Sequence, residues 1–173
     1  YSPDNTKTDD KKYYASPLPP SDKTCAGNGI YFLTDGEPNQ SSADIATTLM
    51  DNALTPVGST NGSLSVTCSD DYRGDKSGWS CMSNFADKLL DTTNPSGIAI
   101  KTATVGFGGS YSSLRNATTA VDCNAASDDN VKKLCNLGIK GQGGFYYAES
   151  ADDIVNSVKS LTGRLTSDIP PIS

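Results

Sequence analysis

The segment at residues 29–40, GIYFLTDGEPNQ, constrains this chain more than any other. Ile30, Tyr31, Phe32 and Leu33 form an uninterrupted apolar run, and Asp35-Gly36 follows almost at once. Aromatic and β-branched residues in so short a run read as a strand. Because consecutive positions are apolar, the strand needs cover on both faces, as in a parallel sheet between helices. A carboxylate just past such a strand stands where ligands sit in doubly wound sheets, beyond the carboxyl ends of the strands. Oxygen ligation of a divalent cation (Mg²⁺, Mn²⁺ or Ca²⁺) is the chemistry Asp35 supports there. Capping of the following turn is the alternative, and it needs no metal.

The remaining pattern alternates. Ser41 or Ser42 is placed to cap a helix over residues 43–54, with Ile45, Leu49 and Ala53 on one face. Residues 55–80 read as a long polar insertion rich in Gly, Ser and Asp. Met82, Phe85, Ala86 and Leu89 mark a second helix that ends within residues 91–95. Residues 97–105 return to strand character, and the glycines at 106, 108 and 109 make the turn after it. A second polar insertion covers residues 110–127. Ser127 then caps a short helix carrying Val131 and Leu134, with Gly138 as its stop. Residues 145–148 form a short strand, and Ser150 caps a last helix whose inward face is Ile154, Val158, Leu161 and Leu165. This order predicts an α/β fold, a doubly wound, Rossmann-like parallel sheet with long loop insertions. The predicted domain spans residues 29–165, preceded by a polar entry segment at 1–28 and followed by a tail at 166–173.

Five cysteines and no histidine narrow the chemistry. No C-x-x-C occurs, which argues against zinc and thioredoxin-type sites. Cys68 with Cys81, and Cys123 with Cys135, are close enough in sequence to close polar loops, leaving Cys25 over. Disulfide-closed loops predict an extracellular protein. The net charge of −6 and the absence of any basic run argue against a nucleic-acid partner. No apolar stretch is long enough to span a membrane. The chain starts at Tyr1 without a signal-peptide pattern, which predicts a processed product or an excised fragment.

Arg73-Gly74-Asp75 lies in SDDYRGDKSGWS, bracketed by Cys68 and Cys81. A closed loop lowers the ordering cost of presenting that tripeptide to a receptor such as an integrin; chance occurrence is the alternative. Asp70, Asp71 and Asp75 offer Ca²⁺ oxygens, though not at EF-hand spacing. Residues 106–111, GFGGSY, mimic a dinucleotide fingerprint but place Tyr111 where Gly or Ala is required, so a tight turn is expected. Without histidine, Ser-His-Asp and Cys-His catalysis are excluded. The pairs Asp9-Asp10, Asp128-Asp129 and Asp152-Asp153 suit helix capping and the helix dipole, with general acid–base work as the alternative. Trp79 is expected to pack, and the sequons at Asn39, Asn61 and Asn116 matter only in a eukaryotic secreted protein.

The strand-TDG-x-x-N pattern at residues 32–39 resembles the third metal-site motif of von Willebrand factor A domains. IKTATVGFG at 100–108 resembles the next strand of that fold, and GGFYYAESADDIVNSVKSL at 143–161 its last strand and helix. The ordering, with cysteine-bearing insertions, is similar to the PilC/PilY-type adhesins of type IV pilus tips. The resemblance implies the second half of the fold, from its fourth strand onward, without its N-terminal strands. It implies that Asp35 is one contributor to a divalent-metal site. The D-x-S-x-S loop that begins such a site is not present in this chain, so the site is partial. The implied function is non-enzymatic surface adhesion, with a host receptor and pilus subunits as partners. A docking module in a larger pilus-biogenesis protein, or an Mg²⁺-dependent α/β enzyme using Asp35, are the competing readings.

Overall fold

A computed structural model describes residues 22, 26–36, 43–56, 66, 78–115 and 122–166. Three strands, β1 (Asn28–Thr34), β2 (Ile100–Phe107) and β3 (Gln142–Ala148), form a parallel sheet in the order β1-β2-β3. Four α-helices, α1 (Ala43–Ala53), α2 (Trp79–Leu90), α3 (Asp129–Lys140) and α4 (Ala151–Thr166), and two short 3₁₀ turns, Gly109–Leu114 and Cys123–Ala125, complete the described elements. Parallel strands need crossovers long enough to hold a helix, and both crossovers here hold at least one. Tyr31 pairs with Ala103, and Ala103 with Gly144. No helix among the described residues is long and apolar enough to cross a membrane.

Side-chain alternation along β1 shows that helices cover both faces. Tyr31 hydrogen-bonds through its hydroxyl to the Ser157 hydroxyl of α4, at 2.6 Å. Its neighbour Phe32 packs on the opposite side, against the cluster that holds Trp79 and Ala86 of α2 and Val131, Leu134 and Leu137 of α3. That cluster is the main core. A smaller one joins Leu54, Val66, Cys81 and Leu89. The mixed α/β, doubly covered parallel architecture is therefore present as the alternation predicted.

The seat of α3 against the sheet depends on one small residue. A Cβ on Gly138 would overlap the Gly144 carbonyl oxygen and the Thr104 hydroxyl. With that space kept free, Thr104, fully buried, donates its hydroxyl to the Leu134 carbonyl at 2.8 Å. Gly138 is thus an interior helix residue and not the stop expected from the sequence; α3 runs on to Lys140 and ends at Gly141. Its N-cap is Asp128 and not Ser127: the Asp128 carboxylate accepts from the Asn130 and Val131 amides at 2.8 and 3.0 Å.

Other boundaries shift for comparable reasons. β2 continues through Gly106 and Phe107, which pair with Tyr147 and Ala148 of β3, and the Tyr111 ring lies against Gly106 where a Cβ would clash. Residues 109–114, read as the end of the glycine turn and the start of a polar insertion, form a 3₁₀ turn that buries Tyr111 and Leu114. On α1 the expected inward face fails at Leu49, which is 64% exposed, and at Ala53; Met50 and Leu54 pack inward instead. α1 leans on α2, and Asp51 ties its end by accepting from the Val66 amide at 2.7 Å. On α4, Leu161 is buried, but Val158 is 44% exposed. Ser157 takes the inward position because the Tyr31 hydroxyl under the helix needs a polar partner.

Cys123 and Cys135 form the expected disulfide, linking the second 3₁₀ turn to α3. Cys81 is also disulfide-bonded, and its partner lies outside the described residues, as do Cys68 and Cys25.

Two outcomes follow. Helix propensity alone favours Ala over Gly by about 1 kcal/mol, yet Gly138→Ala should destabilise the domain by roughly 1–3 kcal/mol through overpacking, read as a lowered midpoint in thermal unfolding. Removing the Cys123–Cys135 bridge as a double Ala variant should cost about 3 kcal/mol, the loop-closure value for a loop of this size, read by urea titration.

Candidate functional site at the carboxyl edge of the sheet

All three strands point the same way, so their carboxyl ends and the loops that follow share one rim of the molecule. Asp35 leaves β1 there. The Thr34 hydroxyl donates to the Gly36 carbonyl at 2.8 Å and accepts from the Gly36 amide at 3.2 Å, which folds the chain into a tight turn and leaves Asp35 exposed. The Tyr111 hydroxyl reaches the Gly36 carbonyl at 3.4 Å, tying the turn after β1 to the one after β2.

Asp35 stands at the junction of two hollows. One, of about 360 Å³, is lined by Asp35, Gly36, Ser110, Tyr111, Asp128, Asn130 and Val131. The other, of about 320 Å³, is lined by Leu33, Thr34, Asp35 and Phe107. The first lies at the N-terminus of α3; the second sets the exposed side chains of Leu33 and Phe107 beside Thr34 and Asp35. Asn130, on the lining of the first, accepts at Oδ1 from the Trp79 ring nitrogen at 3.1 Å. Trp79 is buried and packed, as expected.

A hard divalent cation takes about six oxygen donors. Among the described residues no group of three or more acidic or cysteine side chains comes together to hold one. Asp35 and Asp128 line the same hollow, but one Asp128 oxygen is already engaged by two α3 amides. The described residues therefore do not by themselves fit Mg²⁺, Mn²⁺ or Ca²⁺. They form an acidic, hydroxyl-bearing recess suited to hydrogen bonding and to a positive group.

A second polar group occupies the rim near the end of β3. Arg115 pairs with Glu149 at 2.6 Å, and its guanidinium carbon lies 5.3 Å from the centroid of the Tyr147 ring. The hydrogen bond to Tyr147, reinforced by the Glu149 charge, raises the already high pKa of Arg115. Beyond Glu149, Ser150 and Asp153 form a reciprocal cap on α4. Asp153 accepts from the Glu149 and Ser150 amides and the Ser150 hydroxyl, and the Asp153 amide donates back to that hydroxyl. Hydrogen bonding from the Glu149 amide, then from Ser150, holds the Asp153 carboxyl below the usual carboxylate range.

Of the residues marked from the sequence, Asp35 lies at the rim, Cys123 and Cys135 are bonded, and Cys81 is buried in α2. Arg73, Gly74, Asp75 and Cys68 lie outside the described residues, as do Asp70, Asp71, Asp9, Asp10 and the sequons at Asn39, Asn61 and Asn116. Sequence reasoning missed Ser110, Tyr111 and Asn130 as residues that share a hollow with Asp35, and read Asp128 for capping and the helix dipole, with acid–base work as the alternative. The available signal was topological: in an alternating α/β order, each helix following a strand begins at the same rim.

No family model, curated protein or solved structure matches this chain.

Because the Asp153 pKa is depressed on folding, its stabilisation is complete above the ordinary carboxylate pKa and is lost as pH falls through the folded value. Asp153→Asn should therefore lower the thermal midpoint at neutral pH, and its difference from the parent should shrink as pH drops below about 4. A pH series of thermal melts on both proteins checks this.

Proposed function

We propose that this chain is the ligand-binding module of an extracellular surface protein, of the von Willebrand factor A-like type found in PilC/PilY-type pilus tip adhesins. It binds, and does not catalyse, through the loops at the carboxyl rim. Asp35 is the acidic anchor, and the Arg73-Gly74-Asp75 tripeptide is a second contact, directed to an integrin-type receptor on a host cell.

The observation that carries the reading is the position of Asp35: exposed, just past a parallel strand, on a recess shared with Ser110, Asp128 and Asn130. A rim built from several strand ends is where a doubly covered sheet offers surface for ligands. The cysteine bonds support the extracellular assignment, since such bonds persist in oxidising compartments. A divalent cation belongs to this reading as an addition at Asp35, completed by oxygens from beyond the described residues.

Attachment of integrin-bearing cells to the immobilised chain tests the proposal. Asp35→Ala should weaken attachment about tenfold or more, as expected when a charged partner of a desolvated contact is removed. Arg73→Ala should remove the integrin-dependent part, and chelation with EDTA should weaken the parent but not Asp35→Ala. Unchanged attachment by both variants would sink the reading.

A further inference from the structure

We draw no further inference here: the strongest candidate, the hollow at the carboxyl rim lined by Asp35, Ser110, Asp128 and Asn130, belongs to the site already described.

Discussion

The approach of α3 to the centre of the sheet is the contact on which the other features of this fold depend. It exists because Gly138 has no side chain to hold the helix away from Gly144 and Thr104. The buried Thr104 hydroxyl then finds its acceptor in the Leu134 carbonyl, so a polar side chain sits in the core without an unmet hydrogen bond. With α3 seated, Leu134 and Leu137 close the core over Phe145, and Cys135 meets Cys123. The same placement carries the helix start to the rim, where Asp128 caps it beside Asp35.

The carboxyl rim inherits its character from this geometry. Parallel strands deliver their ends to one side, and the Tyr111 ring, folded over Gly106, ties the second end to the first through Gly36. The result is two adjoining hollows, one with Asp128 on its lining and one with Leu33 and Phe107, and Asp35 is common to both. At the far end of the rim, Arg115, Tyr147 and Glu149 are held by one another, and Ser150 with Asp153 fixes the start of α4. Those charges are engaged in holding structure. Asp35 is held by the backbone turn around it, and its carboxylate faces solvent.

The two edge strands differ in burial: four of the seven residues of β3 are buried and none of β1 is. α3 and α4 both press on β3, and the hydrophobic energy gained there, about 25 cal/mol for each Å² of apolar surface removed from water, scales with that cover. At β1 the cover comes from Ser157 on one face and from the main core, through Phe32, on the other, and the outer edge is bare among the described residues.

By itself the sequence determined the alternation of elements, the strand character of Ile30–Leu33, the position of Asp35 at a strand end and the Cys123–Cys135 pairing. These follow from local rules, namely apolar periodicity, turn chemistry and short loop closure, which a chain carries wherever it folds. Only the tertiary structure decided that Gly138 is a packing residue and not a helix stop, that Ser157 and not Val158 faces the sheet, and that Tyr111 is core. Each of those depends on an atom of a different element: a carbonyl on β3, a phenol on β1, a missing Cβ on β2. Helical spacing gives the faces of a helix but not which face a distant polar group will claim. For the same reason Asp35 could be marked in the sequence, while its neighbours Ser110, Asp128 and Asn130 could be found only once the strands were laid side by side.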